Sequence, residues 1–302
     1  MGQIVDISII IVNYNTLHVL MPCIDSIVTH TDGINYEIIV VDNGSTDGSI
    51  EALSTDSRVT LVSIGENLGF GRANNRGLEV ARGQYVFFLN SDTLLKNNAI
   101  KMLYDFAEQY QGKLGALGCI LEDHQGSRIH SYGQFPKMTG DLRKFLWTPI
   151  LKVLRLYCEP VIEYPEQWMK VDYVTGADLF ANRLVLDTCG AFHPAFFMYY
   201  EESEMEYRFQ MHGYDNVLLN GPRIVHLEGE GGKEGNTSRF IRDTYRQERS
   251  LFTYFKLTRP RWKYYLYRLI HPVIRQTVWL NPNISLSDKW KFVKQLFVTI
   301  KI

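Results

Sequence analysis

The chain has 302 residues, 45% of them hydrophobic and 22% charged, with a formal net charge of −1. That length allows one large α/β domain with an appendage, or two domains, and near-neutrality excludes a global charge attraction to nucleic acid. The cysteines, Cys23, Cys119, Cys158 and Cys189, are scattered without a CxxC pair, which argues against a zinc cluster or disulfide framework and for a reducing compartment.

The N-terminal apolar run is too short for a secretory core and has no basic leader. The opening Met-Gly begins a myristoylation pattern, but Asp6 stands where Ser or Thr is needed. No window approaches the ~18 apolar residues of a membrane span.

In chain order, Ile7–Val12 is a continuous β-branched run and predicts a buried strand. Residues 16–30 carry Leu17, Leu20, Ile24, Ile27 and Val28 at helical spacing. Glu37–Val41 predicts a second strand, followed by DNGSTDGS, where Ser45, Thr46 or Asp47 can cap a helix beginning near Ser49. Val59–Ile64 predicts a third strand, residues 72–82 a helix stopped at Gly83, and Tyr85–Leu89 a fourth strand. This alternation predicts an α/β fold with a mostly parallel sheet flanked by helices. Ligands collect at the carboxyl ends of such strands. Those ends read Asn13-Tyr14-Asn15, Asp42-Asn43-Gly44, Gly65-Glu66-Asn67 and Asn90-Ser91-Asp92, and all four are polar.

Residues 141–168 are basic and apolar, are broken by Pro149, and read as an inserted helix or flap. Residues 171–195 return to a strand-then-helix pattern, Tyr199–Gly213 predicts a short helix with an acidic start, and NVLLNGPRIVHLEG predicts a strand pair ending at His226. From Ser250 to Ser287 there is no Asp or Glu, while Lys256, Arg259, Arg261, Lys263, Arg268 and Arg275 are interleaved with aromatics. The expected organisation is a catalytic domain over residues 1–240, with 141–168 as insert, and a helical basic-aromatic region over 241–302. That region either lies on an anionic membrane surface, with Trp and Tyr at the interface, or packs on the core with a solvated basic face.

Several residues bear chemistry. Asp42 either caps a turn or accepts hydrogen bonds from a nucleotide base or ribose. Residues 67–77, NLGFGRANNRG, lead into a helix with Arg72 near its start, suited to an anionic or nucleotide ligand. The GxGxxG fingerprint fails because residue 74 is Asn, so an NAD(P)-dependent oxidoreductase is not supported. A nucleotidyltransferase would need a basic, glycine-rich phosphate loop early in the chain, and VNYNTLHVL is neither. Asp92 closes an Asx turn or binds a hard divalent cation shared with phosphate oxygens. Glu201, Glu202, Glu204 and Glu206 begin a helix, where the dipole favours them, and the aromatic cluster before them would raise a carboxylate pKa toward that of a base. His226 sits at a strand end before Gly229, Gly231 and Gly232.

SIIIVNYN, EIIVVDNGSTDGS, ENLGFGRANNRG, YVFFLNSDT, VTGADLFANRLVLDTCGAF, FFMYYEESEMEYRFQMHGY and IVHLEG occur in that order. Over about residues 5–230 the chain resembles the family 2 inverting glycosyltransferases of the GT-A fold, in the rhamnosyltransferase-like branch that builds bacterial surface polysaccharide. The resemblance implies that Tyr14 and Asp42 hold the nucleotide base, with Asn15, Asn67, Arg72 and Ser91 near the nucleotide. It implies that Asp92 and His226 bind Mg²⁺ or Mn²⁺, and that Gly176, Ala177, Asp178 and Glu201 line the sugar pocket. Glu202 is the implied catalytic base, with Glu201 or Glu204 as alternatives. Two departures stand out. Asn90 replaces the first carboxylate of the family's DxD, and the base is Glu rather than Asp. The implied donor is a nucleoside-diphosphate sugar, dTDP-rhamnose first, and the implied acceptor a glycan or lipid-diphosphate-linked glycan at the cytoplasmic face of the membrane. A non-catalytic sugar-binding or scaffold protein of the same fold is the competing expectation.

Overall fold

The computed structural model describes residues 4–141, 143, 147–154, 156, 162–227, 236–280 and 284–299. In chain order the elements are β1 (Ile7–Asn13), α1 (Leu17–His30), β2 (Tyr36–Asp42), α2 (Ser49–Ser54), β3 (Val59–Ser63), α3 (Phe70–Val80), β4 (Tyr85–Asn90), β5 (Thr93–Leu95), α4 (Ala99–Gln109), β6 (Leu114–Glu122) and β7 (Tyr132–Gly133). There follow α5 (Met138–Asp141), α6 (Thr148–Val153), β8 (Trp168–Val171), β9 (Tyr173–Val174), β10 (Asp178–Asn182), α7 (Arg183–Cys189), α8 (Glu201–Met211), β11 (Asp215–His226), α9 (Asn236–Thr258), α10 (Arg261–Ile274) and α11 (Leu286–Thr299).

The chain divides into two compact units: residues 1–134, 164–197 and 201–233, and residues 135–163, 198–200 and 234–302. Of the expected 141–168 insert, residues 142, 144–146, 155 and 157–161 lie outside the described residues, as do the glycines after His226.

The first unit holds a nine-stranded sheet in the order β3-β2-β1-β4-β10-β6-β11-β5, with β8 paired to β11. Strands β3, β2, β1, β4, β6 and β11 run one way, and β10, β5 and β8 run against them. The sheet is therefore mostly parallel, as its β-branched runs predict. Side chains alternate across a strand, and both faces are covered here. Ile7, Ile9 and Ile11 pack with Leu20, Ile24, Ile27, Ile100 and Leu103 under α1 and α4. Ile10, Val86 and Phe88 pack with Ala73, Val185, Met205 and Phe209 under α3, α7 and α8. Each fully buried side chain of this kind contributes about 2 kcal/mol.

Two local expectations change. Val28 is exposed, and α1 buries Val19 and Cys23 beside Leu20, Ile24 and Ile27, because at 100° per residue Val28 turns past the edge of the Ile27 stripe. The segment expected as a strand pair is the single strand β11. Its register shifts between Leu219 and Ile224, where Gly221 has φ +126° and Pro222 follows. An irregularity absorbs the Gly-Pro pair, which offers no ladder N–H at Pro222, and the strand continues without turning back.

The second unit contains α5, α6 and α9–α11. Its interior includes Leu251, Phe252, Tyr254 and Phe255 from α9, and Tyr264, Tyr267 and Ile274 from α10. Buried in it, the Glu248 carboxylate bonds His271 Nε2 and pairs with Arg275 at 2.7 Å. Among the described residues no helix is long and apolar enough to cross a membrane.

Candidate active site

Every site residue expected from the sequence lies in the first unit, and sheet register sets their positions. Asn13 is level with Asp42, Val12 with Asn90, and Asp42 with Ser63, so the polar ends of β1, β2, β3 and β4 form one edge. Strand β10 is antiparallel and starts with Asp178 level with Leu89, so its first residue reaches the same edge. Strand β11 ends there too, with His226 level with Thr93.

On the β1–β2 side the polar side chains hold one another. Asp42 is fully buried. Its Oδ1 accepts from the Gly44 and Ser45 N–H groups at 3.2 and 3.0 Å, and its Oδ2 from Asn13 Nδ2 at 3.0 Å. Asn13 also donates to Ser45 Oγ, and Thr16 Oγ1 joins Asn13 Oδ1 (2.7 Å) to Ser91 Oγ (3.0 Å). Asn15 sits at φ 56° and accepts from Thr46 N. Tyr14, between them, is 45% exposed and is the ring available to a planar ligand. Asn67 Oδ1 accepts from Asn43 Nδ2 and Gly69 N, and Asn43 Oδ1 from Leu68 N, which fixes the loop entering α3. At Gly69 the backbone has φ +89°, and a Cβ would lie 2.2 Å from the Phe197 carbonyl oxygen, so only glycine fits. Arg72, in the first turn of α3, has a buried Nε without a hydrogen-bond partner.

At the end of β4, Asp92 Oδ1 lies 3.2 Å from His226 Nε2. Asn90 Nδ2 lies 3.3 Å from the same ring nitrogen, and the Leu227 N–H bonds the Asp92 carbonyl. Sequence separation gives no hint of this pairing; the β5–β11 ladder makes it. One carboxylate, one imidazole and one amide, whose oxygen and nitrogen exchange by a flip, suit a hard or borderline divalent ion. Among the described residues no group of three His, Cys, Asp or Glu could cage a metal alone. The donor set therefore fits an ion that takes its remaining ligands from a diphosphate and water.

The third part is acidic. Asp178 is fully buried and accepts from the Cys119 N–H at 2.6 Å and from Thr175 Oγ1 at 3.4 Å. Burial pushes its carboxyl up to about 7, against the opposing Cys119 hydrogen bonds and the His226 charge. Glu206 is buried, accepts from Val174 N at 2.9 Å with Oε2, and leaves Oε1 without a partner. Burial raises it well above the usual carboxylate range, and the Glu202 and Asp178 charges add to the rise. Tyr173 is raised by burial and then by the Glu202 and Glu206 charges.

The acidic start of α8 separates into different environments. Glu204 is bound by the Arg208 guanidinium at 2.9 and 3.1 Å, and that guanidinium also bonds the Cys189, Gly190 and Ala191 carbonyls at the end of α7. Glu204 is thus committed to a helix–helix tie. Glu201 is buried near Gly71 and has an unpartnered Oε2; burial and then the Glu202 charge raise it well above its ordinary value. Glu202 is partly exposed, accepts from Ser203 Oγ, and its Cβ and Cγ lie 3.8 and 3.9 Å from where a Gly176 side chain would begin. Burial raises its pKa as well. Ala177 is buried, and its carbonyl accepts from the Asn90 N–H, which ties the 176–178 turn to the end of β4. Tyr199 and Tyr200, immediately before α8, have φ 72° and 66°, a strained backbone for bulky residues that is typical of functional segments.

The sequence marks Asn13 and Asn43 only as strand-end residues, Ser45 only as a cap candidate and Glu206 only as one of four helix-start glutamates; Thr16, which joins Asn13 to Ser91, and Tyr173, which feels the Glu202 and Glu206 charges, carry no sequence signal. For Glu206 the available signal was its i, i+4 spacing from Glu202.

The buried carboxyls have a measurable consequence. A carboxyl whose folded pKa is raised contributes stability below its unfolded pKa of about 3.9, and loses it as pH rises through the folded value. For Asp178 the window runs up to about 7. Asp178→Asn keeps an oxygen for the Cys119 N–H and cannot ionise. Thermal unfolding should find it more stable than the parent at pH 8, by on the order of a few kcal/mol, with the gap closing toward pH 4.

Residues 8–153 match Glycosyl transferase family 2. Among curated proteins it is similar to glycosyltransferase GlyG of Streptococcus pneumoniae serotype 4, 36% identical over 107 residues, covering 34% of this chain and 35% of GlyG. It is also similar to the N-acetylglucosaminyl-diphospho-decaprenol L-rhamnosyltransferase of Mycobacterium tuberculosis, 29% identical over 210 residues, covering 63% of this chain and 66% of that enzyme. The matches span less than two thirds of either relative's length. Among solved structures, GalNAc-T7, crystallised with UDP, GalNAc and Mn²⁺, aligns with 98% of this chain and 55% of its own, at a TM-score of 0.62 and 16% identity. That likeness shows the fold: mixed α/β with a mostly parallel sheet flanked by helices, as in GT-A glycosyltransferases.

Proposed function

We propose that this protein is a metal-dependent inverting glycosyltransferase of surface-polysaccharide synthesis. It would move a sugar, rhamnose first, from a nucleoside diphosphate to a glycan or lipid-diphosphate-linked acceptor. The observation that carries this reading is the convergence on one sheet edge of the Asp92–His226 pair and the partly exposed Glu202 beside Gly176. It is supported by the match of residues 8–153 to Glycosyl transferase family 2 and by the relative whose name specifies L-rhamnosyl transfer.

In this reading the first unit carries the chemistry. Tyr14 offers its exposed ring to the base, while Asp42, Asn15 and Asn67 hold the loops around the nucleotide. Arg72 and Ser91 face the phosphates, and Gly176, Ala177, Asp178 and Glu201 line the sugar pocket. Asp92 and His226 would hold Mg²⁺ or Mn²⁺, which supplies positive charge against a departing diphosphate. Glu202 takes the proton of the acceptor hydroxyl as that oxygen attacks the anomeric carbon from the face opposite the nucleotide, and one such attack inverts the centre. Burial keeps Glu202 a stronger base than a solvated glutamate. Gly176 has no side chain to stand between Glu202 and an acceptor. Work at the inner face of the cell membrane fits a lipid-linked acceptor and the acid-free stretch 250–287.

Calorimetric titration of the purified protein with dTDP, UDP, GDP and NAD, each with and without Mn²⁺, tests the reading. Metal-dependent binding of one nucleoside diphosphate is expected, dTDP first. Absence of binding under every condition would overturn the transferase reading in favour of a non-catalytic protein of this fold.

A further inference from the structure

Helix α10 has two apolar faces. Tyr264, Tyr267, His271, Pro272 and Ile274 are buried. Trp262, Tyr265, Leu266, Leu269 and Val273 are exposed, Leu269 and Val273 by 74% and 69%. At 100° per residue these exposed side chains fall within an arc of about 100°, opposite Tyr264, Tyr267, His271 and Ile274, with Pro272 at its edge. The cations are placed with equal regularity. Lys263 projects on one side of the exposed stripe, and Arg261 and Arg268 on the other. Lys263 Nζ lies 5.4 Å from the Trp262 ring centre, and the Arg268 guanidinium 6.0 Å from that of Tyr265. From Ser250 to Ser287 the chain contains no acidic residue.

A protein partner for so basic a surface would bring carboxylates to side chains that already flank an apolar ridge. A bilayer with anionic headgroups meets both features together: the ridge enters the acyl boundary, the aromatic rings sit at headgroup level, and the cations meet the phosphates. We propose that the outer stripe of α10 is a monotopic docking surface for an anionic membrane, lying in the plane of the interface. This deepens the membrane part of the function proposed above and is independent of the sugar-transfer part.

The test is flotation of the full chain with vesicles of phosphatidylcholine alone or mixed with phosphatidylglycerol, at low and high salt. The protein is expected to float with the mixed vesicles and at least tenfold less with the neutral ones. Trp262→Ser/Leu266→Ser/Leu269→Ser should reduce partition at least tenfold. Arg261→Glu/Lys263→Glu should reduce it comparably and remove the salt dependence. Every changed side chain is exposed, so thermal unfolding and nucleotide affinity should match the parent. Failure of the parent to float, or equal flotation of the stripe variant, overturns the proposal. So does a parent dimer in sedimentation that the stripe variant splits, because a second copy then covers the stripe. Failure of nucleotide binding in the calorimetric test would overturn the transferase reading and leave this proposal standing.

Discussion

Glu202→Gln is expected to lower kcat by about 10²–10⁴-fold, with nucleoside-diphosphate affinity unchanged. The amide keeps the side chain's size and its place beside Gly176 but cannot take a proton. The neighbouring glutamates serve as controls. Glu204→Gln removes the charge that Arg208 grips at 2.9 and 3.1 Å, so it should cost stability through the α7–α8 tie and affect the chemical step far less. Glu201→Gln neutralises a buried group with one unpartnered oxygen, so it should stabilise the fold near neutral pH. The pH profile gives a second readout. The base works deprotonated, so kcat rises with pH through the Glu202 pKa. Burial places that limb above the 4.3 or so of a solvated glutamate. A Glu202→Gln variant with full kcat, or a large loss in Glu201→Gln alone, would move the base elsewhere.

Asp92→Ala is expected to weaken Mn²⁺-dependent binding of the nucleoside diphosphate by about 10–100-fold or more, and to abolish the difference between titrations with and without metal. Only one carboxylate stands at this position, because residue 90 is Asn. The imidazole 3.2 Å away cannot replace its charge. Asp92→Asn separates charge from size: it keeps an oxygen donor and should fall between the parent and Asp92→Ala. His226→Ala should weaken metal-dependent binding by a smaller factor, since it removes a neutral donor and keeps the anionic one. Equal affinity with and without metal in the parent, unaltered in Asp92→Ala, would place nucleotide recognition on the Tyr14–Asp42 side alone.

The sequence by itself determined the sheet and its edge. Ile9–Val12, Ile38–Val41 and Val86–Leu89 are apolar throughout, which only a strand covered on both faces requires, and the structure pairs them in parallel. Each run stops at Asn or Asp, so parallel pairing in register brings Asn13, Asp42 and Asn90 together without information from elsewhere in the chain. Local spacing could not decide what meets them from the far half. Asp178 reaches the edge because β10 runs antiparallel between β4 and β6. His226 reaches Asp92 because β11 remains one strand through Gly221 and Pro222 and pairs with β5, where the composition reads as a turn. What distinguishes Glu201, Glu202 and Glu204 is likewise tertiary. All three sit in the first turn of one helix and share its dipole. They differ only in what faces them: an enclosing wall for Glu201, the open Gly176 for Glu202, and the Arg208 guanidinium for Glu204. A one-dimensional pattern fixes which residues share an element and an edge. The dielectric and the partners that each carboxylate meets come from chain segments far away in sequence, and those set its chemistry.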